Sequence, residues 1–385
     1  MRTCKTLVTA AAAAAAVTAA GLLTTTAALA SPAHPAAQNQ GFFPTYSVKT
    51  VLNGAKLSHK NSHTGKSEEL TKPDDITQYG GHLYTAFQNG VGPQGEPAPD
   101  GNKDSTIVEF TRGGSVVAQW DVLGKVDGLT ANPSTGDVIA TVNEDLNSSL
   151  YDITGGRVVH YAYNKALPHN GGTDAISFYR GQMLISASAP GTTGAKAPNA
   201  AYPAVYAVTL NSTTHVATVK PYFWDESSAR QANVHLGAGT TLALTDPDSN
   251  EVVPSSAPRF RGDFMLDSQG DQELIFSSVP SSLWVLKLPQ SIDDTAWPTS
   301  WNSTLYATDN GADTVRAVDG RPFWPGLAFV AVTPCSANSA PATCPAPGYP
   351  ANYLGQLNMY TGQIIGVRLN GTLHPQGMIF VSNNG

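Results

Sequence analysis

The chain contains the stretch Lys125-Val-Asp-Gly-Leu-Thr130, followed by a turn around Pro133 and Gly136. Three short runs come after this turn, and each is rich in β-branched or aromatic residues: Asp137-Val-Ile-Ala-Thr-Val142, Ser149-Leu-Tyr-Asp-Ile153 and Arg157-Val-Val-His-Tyr161. Runs of this length and composition, bounded by Gly, Asn, Asp and Pro, are typical of β-strands. The stretch therefore predicts four consecutive strands joined by tight turns.

The same order of runs and turns recurs on both sides of this stretch. An aspartate precedes the first run each time, at Asp75, Asp127 and Asp174, which gives spacings of 52 and 47 residues. Repeats of four strands at this length are typical of a β-propeller, in which each repeat forms one blade. Sustained helical spacing is almost absent, so the sequence predicts an all-β chain.

Further repeats are expected to open at three later positions, Asp263, Asp294 and Gln376. Counting all openings gives six, although the irregular segments 224–258 and 335–350 could hide a seventh. We therefore predict a single β-propeller domain over residues 47–385, with six blades favoured over seven. The last strand is expected to pair with the N-terminal strands, so that both ends of the domain close the ring.

The composition narrows the functional classes. Charged residues make up 13% of the chain, and 22 Lys and Arg side chains stand against 29 Asp and Glu, for a net charge of −7. Nucleic-acid binding needs a basic face that neutralises phosphates, so no nucleic-acid partner is expected. Hydrophobic residues account for 41% of the chain despite 36 glycines and 27 prolines, which argues against a disordered protein.

Residues 1–30 are expected to be a signal peptide and not part of the fold. Arg2 and Lys5 precede an Ala/Leu/Thr/Val run, and Ala28-Leu-Ala30 has the small-x-small pattern of a cleavage site. A retained membrane anchor is the alternative, although this run is only weakly hydrophobic. We predict a secreted, extracellular protein with a flexible segment at residues 31–46, no membrane contact after cleavage, and a monomeric state.

Two cysteines, Cys335 and Cys344, remain after removal of the leader. Their spacing within a Pro- and Ser-rich segment predicts a disulfide that pins a long surface loop in an oxidising compartment. A redox-active or metal-binding thiol pair is the alternative, but the tight spacing and nearby histidine of such sites are missing.

In a propeller, the loops that enter the innermost strands open on one face, together with the loops between second and third strands. Carboxylate and amide side chains in these loops are therefore expected to surround the mouth of the central channel. Clustered carboxylates repel one another unless a cation, a shared proton or hydrogen bonds compensate, and oxygen ligands suit Ca²⁺, Mg²⁺ or Mn²⁺. We predict one divalent cation bound by Asp75, Asp127, Asp174 and Asn143. The predicted substrate-binding side chains are Asn89, Glu144, Asp294, Asp309 and Gln376.

Each of these residues also has a structural interpretation. Turns prefer Asp, Asn and Gly, and an aspartate before an inner strand could simply join its blade to a neighbour. His169 lies just before Asp174 and is a candidate general base near neutral pH, with an ordinary surface histidine as the alternative. The acidic stretch Thr245-Asp-Pro-Asp-Ser-Asn-Glu251 lacks the spacing of an EF-hand and is interpreted as a solvated loop.

Two strand openings, Asp127-Gly-Leu129 and Gln376-Gly-Met378, resemble the Asp/Asn-Gly-Leu/Met motif of six-bladed propellers of the sugar-lactone lactonase and regucalcin-like type. NHL-type binding propellers have a similar spacing. The resemblance to the lactonase and regucalcin-like propellers implies that side chains at the strand openings hold one divalent cation that activates ester-bond hydrolysis. It makes Asp127 a metal ligand and puts Gln376 at a second ligand position. The family's early glutamate ligand has no clear match in this chain.

Two functional classes follow from these observations. The first is a metal-dependent hydrolase or lyase that acts on a small ester, lactone or sugar-derived substrate. The second is a non-catalytic extracellular propeller that binds a ligand or another protein through the same face. A serine hydrolase of the α/β type is disfavoured because the chain has no Gly-x-Ser-x-Gly motif.

Overall fold

Short β-branched runs form strands because their side chains alternate between two packed faces of a sheet. The computed structural model describes residues 45–168, 171–188, 202–235, 237–333 and 352–384. Val138–Val142, for example, is a strand that is buried along its whole length. The predicted catalytic residue His169 and the predicted disulfide partners Cys335 and Cys344 lie outside the described residues.

Most described strands belong to antiparallel groups of four, which we name blades in the order of their inner strands. Blade 1 contains β4 (Pro73–Tyr79), β5 (His82–Phe87), β6 (Asp104–Thr111) and β7 (Val116–Leu123). Blade 2 contains β8 (Val126–Ala131), β9 (Val138–Val142), β10 (Ser149–Thr154) and β11 (Arg157–Tyr163). Blade 3 contains β12 (Ile176–Tyr179), β13 (Gln182–Ser186), β14 (Pro203–Asn211) and β15 (Val216–Trp224).

The remaining blades include strands that are distant in sequence. Blade 4 contains β18 (Pro247–Val252), β19 (Phe264–Ser268), β20 (Glu273–Val279) and β21 (Ser282–Lys287). Blade 5 contains β22 (Ile292–Ala296), β25 (Ala328–Val332), β26 (Tyr353–Leu357) and β27 (Ile364–Gly366). Blade 6 contains β29 (Pro375–Ser382), β23 (Ser303–Asp309), β24 (Thr314–Asp319) and β1 (Tyr46–Asn53).

Short accessory elements extend these blades. The 3-10 helices of the described residues are Gly54–Lys56, Gln269–Asp271 and Asn310–Ala312. Five further strands are β2 (Ser58–Lys60), β3 (Ser67–Glu69), β16 (Ser228–Gln231), β17 (Thr240–Thr241) and β28 (Leu369–Asn370). Strands β16 and β28 add to the outer edges of blades 4 and 6, and the outer strands of blades 2 and 3 pair in parallel.

The inner strands form a ring. Each of the strands β4, β8, β12, β18, β22 and β29 contacts the next in this order, and β29 contacts β4. The predicted all-β propeller class is therefore confirmed. The described strands make six groups, and the preference for six blades over seven stays a prediction for the whole chain.

Strands from both termini close the ring in one sheet, as predicted, but the last strand does not pair directly with the N-terminal strand. The first and last strands, β1 and β29, lie in the same sheet, but β1 pairs with β24 and β29 pairs with β23. The β23–β24 hairpin therefore lies between the two termini. Blade 6 is built from three separate parts of the chain, because this hairpin leaves blade 5 after β22 and the chain then returns to β25.

The predicted opening at Asp263 is wrong. The strand that follows it, β19, is the second strand of blade 4, and the inner strand is β18. The acidic stretch Thr245–Glu251, interpreted as a solvated loop, supplies most of this inner strand. A polar inner strand is tolerated here because one of its faces borders the central cavity described below.

Apolar side chains between neighbouring blades form the core. Phe264, Leu266 and Ile275 of blade 4 are fully buried in the cluster shared with blade 3, while Met265 and Phe276 face blade 5. Full burial of a side chain of this size stabilises the fold by about 1.5–3 kcal/mol relative to exposure. None of the helices in the described residues has the length and apolar character that crossing a bilayer requires.

Candidate functional site

Each inner strand begins with the same arrangement of residues. The arrangement covers three consecutive residues. The third of them pairs with the second strand of its own blade, as in Ile76 with Thr85, Leu129 with Ala140 and Met378 with Ala307. We call the residue two positions earlier the ring residue, because it takes the same position at the start of each inner strand. The ring residues are Asp74, Asp127, Asp174, Asp248, Asp293 and Gln376.

All ring residues line one cavity of about 640 Å³ at the centre of the propeller. Among the described residues, its lining contains eleven carboxyl groups and one basic side chain, Lys125. The acidic residues are Asp74, Asp75, Asp127, Glu144, Asp145, Asp174, Asp246, Asp248, Glu251, Asp293 and Asp294. The cavity therefore attracts positively charged species and disfavours anions.

Burial and mutual repulsion favour the protonated form of the carboxyl groups on this ring. Burial is the largest cause that raises the pKa of Asp74, Asp127, Asp174 and Asp248 well above the usual value. Neighbouring carboxylates add to the effect, since a second negative charge nearby disfavours ionisation. Burial likewise raises the pKa of Asp293 to about 7, against a hydrogen bond from Gln269 that lowers it. The ring thus carries less negative charge than its composition suggests.

Lys125 partly compensates the negative charge of the ring residues. Its Nζ atom lies 2.6 Å from Oδ1 of Asp127 and also pairs with Glu144. Burial alone would lower the pKa of Lys125, but attraction to Asp127 and Glu144 outweighs burial and raises it. Lys125 is therefore a permanent ammonium group held in the wall of the cavity.

The other ring residues differ in their hydrogen bonds. Burial raises the pKa of Asp174, and a side-chain hydrogen bond with Asp248, the ring residue of the adjacent blade, partly offsets this rise. Gln269 Nε2 donates to Asp293 Oδ1 at 2.9 Å. Asp127 Oδ1 accepts from Gln88 Nε2 at 3.1 Å, whereas its buried Oδ2 has no hydrogen-bond partner among the described residues.

Asp75 and Asp294, each one position after a ring residue, join neighbouring blades. Asp75 accepts hydrogen bonds from the main-chain N–H groups of Ile76 and Leu129. Asp294 accepts hydrogen bonds from those of Thr295 and Met378. All four donor–acceptor distances are 2.6 or 2.7 Å. Both side chains border the cavity, but their oxygens already serve the backbone of the next blade.

In blades 2 and 6, the residue directly after the ring residue is glycine, because the next inner strand passes close to it. A Cβ atom at Gly128 would lie 2.3 Å from the carbonyl oxygen of Asp174, and one at Gly377 would lie 2.5 Å from that of Asp74. The Gly in the Asp-Gly-Leu and Gln-Gly-Met openings is therefore required by blade packing.

Asn89, predicted to contact substrate, and Asn143, predicted to bind metal, lie just after the second strands of blades 1 and 2. Both have left-handed backbones, with φ of 51° and 65°, which asparagine tolerates better than most residues. Their amides are used internally: Asn89 accepts from Thr71 N–H, and Asn143 Oδ1 accepts from Lys125 N–H at 3.0 Å. Neither side chain lines the cavity.

Three other predicted substrate-binding residues take different places. Glu144 and Gln376 line the cavity. Asp309 is buried outside the cavity, where its Oδ2 accepts from the His374 N–H at 3.3 Å. The structure thus brings together Asp75, Asp127, Asp174, Glu144, Asp294 and Gln376, and it places Asn89, Asn143 and Asp309 elsewhere.

Asp248, Asp246 and Lys125 were not among the predicted site residues. The first could have been found from the pairs Pro73-Asp74, Pro247-Asp248 and Pro375-Gln376, in which a proline comes directly before the ring residue. Lys125 has no comparable signal, because nothing in its neighbourhood distinguishes it from an exposed lysine.

The donor chemistry of the cavity fits a hard divalent cation, since carboxylate oxygens are its preferred ligands. No group of three or more His, Cys, Asp or Glu side chains in the part of the chain described by the structure has the arrangement of a metal site. The unpartnered Oδ2 of Asp127 is the most direct candidate ligand.

Comparisons with known proteins give only distant likenesses. No family model and no curated protein matches the chain. A streptogramin B lyase is 12% identical, with 87% of this chain and 91% of that chain covered and a TM-score of 0.42. A catalytically inactive virginiamycin B lyase from Staphylococcus aureus is 10% identical over 88% and 80%, with a TM-score of 0.43. A protein of unknown function from Bacteroides thetaiotaomicron is 10% identical over 89% and 72%, with a TM-score of 0.46.

The assignment of the fold rests on the strand pairing and not on these likenesses. The closed ring of inner strands and the carboxyl-lined cavity define the chain as an all-β propeller with an acidic central cavity.

Proposed function

We propose that this is a secreted propeller enzyme, a divalent-metal-dependent hydrolase or lyase that acts on a small ester, lactone or sugar-derived substrate in the central cavity. One observation carries the proposal: five aspartates at equivalent positions face one cavity, and Lys125 is the one basic side chain in the part of its lining that the structure describes. Such an arrangement favours a bound cation, because a cation relieves the repulsion between the carboxylates. The resemblance of Asp127-Gly-Leu129 to the opening motif of lactonase-type propellers supports the same assignment.

Asp127 and its neighbours on the ring would hold the ion. Mg²⁺ retains several water molecules and is often held by only one or two carboxylates, which suits a wide ring. When bound, such an ion polarises a carbonyl group or acidifies a water molecule. Asp293, with a pKa of about 7, is suited to give or take a proton near neutral pH. Lys125 keeps Asp127 oriented at the cavity wall.

Thermal melting tests the cation site. The mature protein should melt at a higher temperature with Ca²⁺, Mg²⁺ or Mn²⁺ than with a chelator, by ordinary ligand linkage. Asp127→Asn should abolish the increase, whereas Asp319→Asn, which changes a partly exposed carboxylate paired with Lys49, should preserve it. Equal melting temperatures under all of these conditions would refute the cation site. A screen of lactones and aryl esters with the loaded protein then tests hydrolysis.

A second candidate function is non-catalytic binding of a positively charged organic ligand. The ammonium group of Lys125, held by Asp127 and Glu144, shows how the cavity wall accommodates an alkylammonium group. Calorimetric titration with a simple diamine at low ionic strength tests this candidate. Saturable binding of the diamine, together with no effect of divalent ions on melting, would favour the binding protein over the enzyme.

A further inference from the structure

Asp267, on the second strand of blade 4, is a buried carboxyl group that the proposed function does not use. Its side chain is fully inaccessible to solvent. Neither of its oxygens has a hydrogen-bond partner among the described residues. A charged carboxylate in such a place would be strongly destabilising, whereas a neutral carboxylic acid could act as a hydrogen-bond donor.

In blades 2 and 6, a threonine hydroxyl occupies the position on the second strand that corresponds to Asp267. Thr141 directly follows Ala140, which pairs with the inner strand, and its Oγ1 donates to the main-chain carbonyl of Asp174 at 2.7 Å. Thr308 directly follows Ala307 and donates in the same way to the carbonyl of Asp74. In both cases the acceptor is the ring residue of the next blade.

Asp267 has the same register as these threonines. It directly follows Leu266, and Leu266 pairs with Asn250, which lies two positions after the ring residue of blade 4. The ring residue of the next blade is Asp293, and the charge of Asp293 acts on the Asp267 carboxyl group. A proton on Asp267 would provide the donor that the threonine hydroxyl provides in blades 2 and 6.

We infer that Asp267 is a positioning residue, held as a neutral carboxylic acid that replaces the threonine hydroxyl and donates to the main-chain carbonyl of Asp293. The charged groups recorded around it among the described residues are all acidic. Asp248 on β18 interacts with it. Three further carboxylates act on it: Asp293 on β22, Asp246 before β18, and Asp271 in the 3-10 helix after β19. No basic group among these neighbours could stabilise the ionised form. Burial, followed by these three carboxylates, raises the pKa of Asp267 well above its usual value. This role is independent of what the cavity binds.

The pH dependence of melting tests the inference. If Asp267 stays protonated in the folded protein but is ionised when unfolded, wild-type stability falls relative to Asp267→Asn as the pH rises above about 4. The melting temperature of the wild type should then decrease relative to Asp267→Asn by about 2 °C per pH unit between pH 5 and 7. A difference that stays constant over this range would mean that Asp267 is ionised in the folded state and would overturn the inference.

A matched pair of variants tests the donor role. Asp267→Thr restores the hydroxyl of blades 2 and 6, whereas Asp267→Val has a similar shape without a donor. Asp267→Thr should melt at a higher temperature than Asp267→Val at pH 7, and equal melting temperatures would overturn the donor assignment. If neither variant folds, the infrared difference spectrum of wild type minus Asp267→Asn at pH 7 should show the carbonyl band of a protonated carboxylic acid. A carboxylate band in its place would overturn the inference.

Discussion

The Oδ2 atom of Asp75 accepts a 2.6 Å hydrogen bond from the main-chain N–H of Leu129, on the inner strand of the next blade. Asp294 makes the same contact with Met378. These carboxyl groups connect blade 1 to blade 2 and blade 5 to blade 6. The threonine hydroxyls of blades 2 and 6 make the following connections, to blades 3 and 1. Two kinds of side chain therefore fasten successive inner strands around the same cavity, one accepting from a backbone N–H and the other donating to a backbone carbonyl.

Replacing Asp75 with Ala should destabilise the protein by about 1–3 kcal/mol, because two buried main-chain N–H groups lose their acceptor. Urea denaturation measures the loss. Asp74→Ala is the matched control, since Asp74 faces the cavity and relief of repulsion should leave stability unchanged or higher. If both variants lose the same stability, Asp75 does not have the special role assigned to it.

The protein without added cations should lose stability as the pH rises from about 5 to 8. Burial raises the pKa of Asp75 and of Asp293 to about 7, above the value of about 4 expected for unfolded aspartate. The folded state therefore binds more protons than the unfolded state between these values, and stability is lost as the pH rises through the folded pKa. Calorimetric melting in a pH series measures this trend. A melting temperature that increases over this range would contradict the elevated pKa values.

The sequence predicts the propeller class well because the repeated alternation of apolar runs and turns reflects packing within each blade. It fails for blade 4, whose inner strand Pro247-Asp-Ser-Asn-Glu-Val252 has almost no apolar alternation. Such a strand is stable because its polar side chains face the cavity and neighbouring inner strands, an environment that no local pattern reveals. The apolar alternation therefore predicts the opening of the blade at the next strand, Phe264–Ser268.

Adjacent carboxylates limit what the sequence can say about the site. In Asp74-Asp75 and Asp293-Asp294, one residue faces the ring and the other accepts backbone hydrogen bonds, but the two have the same side chain. Only the path of the neighbouring strand distinguishes them. The sequence also does not reveal that the β23–β24 hairpin belongs to blade 6, because the hairpin fits equally well as the continuation of blade 5.

Gly128→Ala should be severely destabilising. The added Cβ would lie 2.3 Å from a main-chain oxygen of the next blade and 2.6 Å from Thr141 Oγ1, so the inner strands of blades 2 and 3 would have to separate. Overpacking of this kind costs about 1–3 kcal/mol or more. Gly113→Ala is a suitable control, because a Cβ there approaches nothing closer than 3.9 Å. Equal denaturation midpoints for the two variants would show that the blades are not packed this closely at Gly128.

Lys125→Met should destabilise the protein by about 3–5 kcal/mol at pH 8, because it leaves the buried carboxylate of Asp127 without its cation. The loss should be smaller at pH 5, because burial raises the pKa of Asp127 and a neutral acid formed on protonation needs no cation. Denaturation in urea at both pH values measures the difference. Lys49→Met removes an exposed ion pair with Asp319 and should cost less than about 1 kcal/mol at either pH. If Lys125→Met loses equal stability at pH 5 and pH 8, Lys125 contributes through the packing of its side chain and not through its charge.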